Sequence, residues 1–248
     1  MKKIIGYFLT PLFYLLFGLL LCIFHPVQII AYHVFGKNAQ KKAVDVLNFL
    51  LLYNLLILGT RISVTFKFTP PADKPIIFIA NHQGMYDIIG IIWFLRKYTP
   101  KFVSKIELSK GIPSVSYNLR CSGAALINRN DPKQAITEIA RLAKLTAHHN
   151  YSAVIFPEGT RSKEGRMKRF AAGGVNVLMK KMPDALIVPV AIKNVWKLQR
   201  WGTFPMSPGE NLDWIVLPPI STKGKEKEAV IAEAEEAIKK ELIENIVV

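Results

Sequence analysis

Residues 75–95 read PIIFIANHQGMYDIIGIIWFL. Pro75 introduces a short apolar run, Ile76–Ala80, which suits a buried strand. The run stops at Asn81 and His82. Asp87 then precedes IIGIIWFL, an apolar pattern that begins a helix. Strand, turn and helix in this order form the unit from which layered αβ domains are built.

The flanking sequence continues in the same style. Residues 61–68, RISVTFKF, alternate as a strand with one buried face, and Pro70 and Pro71 end it. Phe102 and Val103 suggest a short strand before Lys105. Gly111 and Pro113 break the next segment, and residues 124–127 suit another strand. Asp131 and Pro132 read as the cap and first residue of a helix over Pro132–His149. Residues 152–156 form a strand candidate that ends at Pro157 and Glu158. A helix is expected over 170–181, although Gly173 and Gly174 weaken it, and a strand over 186–192. Pro189 within that strand suits an edge, a bulge or an irregular end. Residues 214–217 suit a late strand, and 225–246 a charged outer helix. No internal repeat and no linker follow residue 60, so residues 61–248 read as one αβ domain.

Residues 1–60 differ in kind. Residues 4–24, IIGYFLTPLFYLLFGLLLCIF, carry no charged side chain. As a helix they would rise about 31 Å, close to a bilayer's hydrocarbon thickness. Pro11 should kink or interrupt that helix. No small-residue cleavage site of a signal peptide follows. A linker with Gly36, Lys37 and Asn38 leads to a shorter apolar stretch, 43–59, that contains Asp45. A spanning helix with a partly embedded one, a two-helix module that enters and leaves the same membrane face, and a soluble hairpin over a groove all compete. Pro11, the short second stretch and the charged linker favour the same-face module.

Half of the 248 residues are apolar, which argues against general disorder. The formal net charge of +15 suits nucleic acid, anionic lipid or an acidic carrier. No nucleic-acid reading module and no aromatic interleaving accompany it, so anionic membrane lipid is favoured over nucleic acid. The positive-inside tendency places the basic domain on the cytoplasmic side of the membrane. Cys22 and Cys121 form no metal or redox motif, and a reducing compartment is expected. The sequence is silent on oligomeric state.

Two short blocks can do chemistry. In NHQGMYD, 81–87, His82 can take a proton near neutral pH and Asp87 can orient its ring. Five residues is not a same-face helical spacing, but a turn at Gly84 would let the two side chains meet. Taken alone, the block also fits a structural turn, and a metal site would need further ligands. A backbone N–H near Gly84 is a candidate oxyanion donor. In FPEGTR, 156–161, Glu158 can position a polar group and Gly159 permits close approach. Thr160 can cap or bond locally, and Arg161 can grip a phosphate. The block also fits an ordinary charged turn. Residues 161–169 hold five basic side chains and Glu164, a run that suits a solvated loop or an anionic lipid or carrier contact. The nucleotide-binding glycine loops and the GxSxG elbow are absent. His148 and His149 read as an exposed helix end.

Together these blocks resemble the glycerolipid acyltransferase family. NHQGMYD and FPEGTR match its first and second hallmarks, in order. KIELSKGIP at 105–113 and GAALINR at 123–129 resemble its acceptor region, and LIVPVAI at 186–192 its fourth block. Asn128 stands where an acid is common, and Gly111 is unusual before Pro113. The resemblance implies an αβ domain with a mixed sheet and an N-terminal two-helix membrane module. It implies His82 and Asp87 as the catalytic pair. It adds Lys105, Arg129 and Arg161 as phosphate-site residues, with Glu158, Gly159 and Thr160 beside them. The implied reaction moves a fatty acyl group from acyl-CoA or acyl carrier protein to the sn-2 hydroxyl of 1-acyl-sn-glycerol 3-phosphate (lysophosphatidic acid), giving phosphatidic acid. No bound cofactor or metal is implied, and the bacterial cytoplasmic membrane is the expected location. Another lysolipid acceptor, a thioesterase and a non-enzymatic lipid-binding protein remain as alternatives.

Overall fold

The structure, a computed structural model, describes residues 1–162 and 164–244. Seven strands form one sheet: β1 (Arg61–Phe66), β2 (Ile76–Ala80), β3 (Pro100–Lys105), β4 (Ala125–Ile127), β5 (Ser152–Ile155), β6 (Leu186–Lys193) and β7 (Asn211–Val216). Their order is β1-β7-β6-β2-β5-β3-β4. Every neighbouring pair is parallel except β6 with β7, so the sheet is mixed as expected. β2 lies at the centre, with Ile76 opposite Ser152 on one side and Leu186 on the other.

Burial on both faces explains the unbroken apolar run of β2, all five residues of which are buried. Ile76, Phe78 and Ala80 join one core and Ile77 and Ile79 the other, the two-residue period of a strand. On the first face lie α1 (Lys2–Phe35), α2 (Lys37–Tyr53) and α3 (Tyr86–Phe94). On the second lie α5 (Pro132–His149), α6 (Ala172–Lys181) and α7 (Lys227–Glu244), whose Leu142, Val175 and Val230 share one core with Ile77 and Ile187. The short α4 (Val115–Cys121) precedes β4. Asp131 caps α5 by accepting the Gln134 N–H at 3.0 Å, with Pro132 as the first helical residue. The expected final helix is present as α7; Asn245 and Ile246, the end of its expected span, lie outside the described residues.

Three expectations change. Pro189 sits within β6, between β2 and β7, and is not at an edge. The Leu217 N–H donates to the Pro189 carbonyl at 3.0 Å, just past the last β6–β7 ladder pair. The peptide edge of residue 189 therefore faces β7 where that strand ends, and the missing proline N–H removes no rung to β2. Pro11 does not interrupt α1, which runs unbroken through Pro11 and Pro26. Tertiary ties hold that turn: Thr10 Oγ1 donates to the Gly6 carbonyl at 2.6 Å and accepts the Met206 N–H at 2.9 Å. The expected linker shrinks to Gly36, whose φ of 81° reverses the chain before α2 starts at Lys37.

α1 packs along the αβ domain. Phe13 is buried against Tyr86, and its carbonyl accepts the Asn54 amide at 3.1 Å. The Tyr14 hydroxyl donates to the Thr203 carbonyl at 2.6 Å, and the Ser114 hydroxyl to the Leu21 carbonyl at 2.7 Å. The opposite side of α1 is bare. Phe8, Leu12, Leu15, Leu19, Ile23, Val27 and Ile30 form an exposed apolar stripe at three- and four-residue steps. α1 is long and apolar enough to cross a membrane, and only 17% of its most apolar window is buried.

Candidate active site

The C-terminal ends of β2, β5, β3 and β4 lie side by side on one edge of the sheet, where open αβ sheets hold their ligands. The site residues expected from the sequence lie at the ends of these strands or in the segments that follow them. His82 follows β2, residues 158–161 follow β5, Lys105 ends β3 and Arg129 follows β4.

At the end of β2 the Asn81 amide locks the chain to β6. It donates to the Ile192 carbonyl at 2.9 Å and accepts the Ile192 N–H at 2.7 Å. The chain then turns into α3 around one carboxylate oxygen. Asp87 Oδ2 accepts the backbone N–H groups of Gln83 at 2.5 Å and Gly84 at 2.8 Å, and meets His82 Nδ1 at 2.8 Å. Asp87 is fully buried, while 13% of the His82 side chain is exposed. A carboxylate with these partners holds the proton on Nδ1 and leaves Nε2 as the basic nitrogen. Nε2 makes no hydrogen bond among the described residues.

The turn departs from expectation in two details. Gly84 does not use a left-handed backbone; a Cβ there would lie 2.8 Å from Val195 Cγ1, so close packing explains the glycine. Its N–H is engaged by Asp87 and is not a free oxyanion donor.

Glu158 supports the same histidine from below. One carboxylate oxygen accepts the His82 backbone N–H at 2.7 Å, and the other accepts the Lys168 N–H at 2.9 Å. The His82 carbonyl accepts the Ser162 N–H at 2.7 Å. The two hallmark blocks are thus stitched together, with Glu158 bonded to the backbone of His82. Burial pushes the Glu158 carboxyl above its ordinary range; the two N–H bonds and nearby His82 oppose that shift. Glu158→Gln should lower kcat about tenfold with little change in KM, because an amide presents only one acceptor to two backbone donors. Steady-state kinetics with a fixed acyl donor would show it. An unchanged kcat would mean that His82 is held by other means.

Phe156 stacks on the His82 ring with centroids 4.4 Å apart, and Phe102 stacks on Phe156 at 6.5 Å. Gly159 has a left-handed φ of 68° in the turn that follows β5. The Thr160 hydroxyl accepts from the Lys168 ammonium at 2.5 Å, so its contact is local. Arg161 is exposed and lines a cavity of about 230 Å³. Lys105 and Arg129 are exposed at their strand ends and make no ion pair among the described residues, although Lys105 and Ile127 stand in register on adjacent strands. Lys163, one of the basic residues of the 161–169 run, lies outside the described residues. No three His, Cys, Asp or Glu side chains converge as a metal site among the described residues. His148 and His149 are exposed at the end of α5, as expected.

The cavity runs between α1, α2, α3 and β3. Phe17, Leu47, Met85, Ile88 and Phe102 line it, and it also meets Gln28, Lys41, Asp45 and Lys101. Burial, reinforced by nearby Lys41, holds the Lys101 ammonium down to about 8. The role of these polar residues was not read from the sequence. The signal was present, since Gln28 and Asp45 are isolated polar residues within apolar runs.

A family model described as Acyltransferase matches residues 61–193, more than half of the chain. The chain belongs to the acyltransferase family. The match takes in both hallmark blocks and ends with β6. The chloroplastic 1-acyl-sn-glycerol-3-phosphate acyltransferase LPAT1 of Arabidopsis thaliana is 28% identical over 151 residues, 61% of this chain and 41% of that protein. The 1-acyl-sn-glycerol-3-phosphate acyltransferase alpha of Mus musculus is 28% identical over 193 residues, 76% of this chain and 64% of that one. The chain thus spans less than two thirds of the length of these relatives. The crystal structure of the 1-acyl-sn-glycerophosphate acyltransferase PlsC from Thermotoga maritima matches with a TM-score of 0.82 at 23% identity, covering 100% of this chain and 99% of that one. At that identity the likeness is one of fold, and it extends through the two N-terminal helices of this acyltransferase-family chain.

Proposed function

We propose that this chain transfers a fatty acyl group from an acyl-CoA or acyl carrier protein thioester to the sn-2 hydroxyl of 1-acyl-sn-glycerol 3-phosphate. The observation that carries the reading is the His82–Asp87 pair at 2.8 Å; the His82 ring stacks on Phe156 and Phe156 on Phe102, and Phe102 and Arg161 both line an apolar cavity. The names of the relatives, 1-acyl-sn-glycerol-3-phosphate acyltransferases, support this acceptor.

In this mechanism the acceptor phosphate is held at the basic edge by Lys105, Arg129 and Arg161. Its free hydroxyl meets His82 Nε2. The imidazole takes the proton as the oxygen attacks the thioester carbonyl, and Asp87 stabilises the imidazolium. The tetrahedral intermediate collapses by breaking the C–S bond. The departing thiolate takes the proton from the imidazolium, which leaves a free thiol and a new ester. Alignment of the two substrates supplies much of the rate. The acyl chain occupies the cavity, which spares each CH₂ about 0.8 kcal/mol of exposure to water.

The module formed by α1 and α2 would deliver the lipid substrate. α1 is tied to the domain at Thr10, Tyr14 and Leu21, which supports a module that enters and leaves one membrane face. Its bare stripe suits insertion into one leaflet, with the basic domain resting on anionic headgroups at the cytoplasmic face of a bacterial membrane. Lysolipid then enters the site sideways.

Arg161→Ala should weaken use of the phosphorylated acceptor about 10- to 100-fold in kcat/KM and leave the dephosphorylated monoacylglycerol rate unchanged. A two-acceptor assay with product identification by mass tests this. Equal losses on both acceptors would remove the phosphate role.

A further inference from the structure

The far end of the cavity is built unlike its walls. Phe17 packs against Tyr86 at the catalytic turn, and Gln28 lies eleven residues farther along α1, a rise of about 16 Å. On α2, Lys41 lies thirteen residues before Asn54, which bonds to Phe13, and so reaches a comparable depth. Gln28, Gln40, Lys41, Asp45 and Lys101 therefore form a polar floor under an apolar tunnel.

Most of this floor is internally matched. Lys41 meets Asp45 at 2.6 Å and donates to the Arg96 carbonyl at 2.7 Å. Gln40 Nε2 donates to Gln28 Oε1 and Asn118 Oδ1, both at 3.2 Å. Gln28 is the exception. Its side chain is 0% exposed, it lines the cavity, and its Nε2 has no hydrogen-bond partner. A buried amide group left unmatched is destabilising, and native interiors rarely leave one so. Reversing the amide does not cure this. With Nε2 turned toward Gln40, the oxygen would be stranded in its place. A hydroxyl both donates and accepts, so it satisfies Gln28 in either orientation. A methylene group satisfies neither, and a ketone only one.

We propose that the distal cavity recognises a fatty acyl chain carrying a hydroxyl group remote from its thioester, with Gln28 as the residue that reads it. The proposal rests on the acyl-transfer reading above and names the donor class for the same site. Gln28 does not touch the reacting atoms; it determines specificity.

The test uses the purified full chain with lysophosphatidate and three acyl-CoA donors of equal length. One is unsubstituted, one carries a hydroxyl on the carbon β to the carbonyl, and one carries it on the distal half of the chain. The distal hydroxyl should be preferred over both others by about tenfold in kcat/KM. Gln28→Leu and Gln28→Met should reverse that preference, and a melting temperature close to the parent's reports that they fold. Gln40 keeps its bond to Asn118 in both variants. Equal use of the three donors, or an unchanged preference in the variants, overturns the proposal and leaves acyl transfer standing. A hydroxyl preference that follows the acceptor's acyl chain also overturns it. No transfer from any of the three chains, supplied as the CoA thioester and then as the acyl carrier protein thioester, overturns both readings.

Discussion

Replacing His82 by alanine is expected to lower kcat by about 10³-fold. The loss should be catalytic and not structural. The His82 backbone holds the site together through Glu158 and Ser162, and alanine retains both bonds. The ring contributes one hydrogen bond, to Asp87, and stacks on Phe156 at the edge of the core. The variant should therefore bind vesicles and melt like the parent while thiol release from the acyl donor nearly stops. Parent-like thiol release would show that another group removes the hydroxyl proton.

Asp87→Asn should be almost as damaging, at about 10²- to 10³-fold in kcat, for a different reason. A carboxylate can hold the Nδ1 proton and stabilise the imidazolium, whereas a neutral amide cannot supply that charge. The amide oxygen can still accept the Gln83 and Gly84 N–H groups, so the turn should survive. Asp87→Ala removes that acceptor as well and strands two backbone donors beside a fully buried position, at a cost of about 1–3 kcal/mol each. The two variants should thus be similarly inactive but differ in melting temperature, with the alanine form lower. An Asp87→Asn enzyme with parental kcat would reduce the carboxylate to a structural cap.

The parts of this fold that were legible in the sequence are those governed by local chemistry. The apolar run Ile76–Ala80 needs no distant partner to read as a buried strand. The Asp131–Pro132 pair marks the start of α5 to the residue. Pro189 misled because a proline's tolerance depends on which neighbour its peptide edge faces, and β7 arrives from more than twenty residues downstream. Pro11 misled for a similar reason, since Met206 secures the turn beside it.

The candidate site divides along the same line. His82 and Asp87 are near in sequence, and their meeting follows from one turn. Glu158 was singled out, but its place under the His82 N–H depends on β2 and β5 being neighbours. Asn81 and Phe156 stood inside the quoted blocks without an assigned task; one pins β2 to β6 and the other stacks on the imidazole. The cavity needed α1, α2, α3 and β3 together, so no local pattern could outline it.

The central claim is that an imidazole at the end of β2 passes an acyl chain from a thioester to a lysolipid hydroxyl. Its most direct test supplies vesicle-bound protein with lysophosphatidate and, in turn, acyl-CoA and acyl carrier protein thioesters, and weighs the lipid product by mass spectrometry. Phosphatidate bearing the donor's chain, formed by the parent and absent with His82→Ala, is the result expected. Folded, membrane-bound parent protein that joins no donor to the acceptor, or that only releases free fatty acid, would contradict the account.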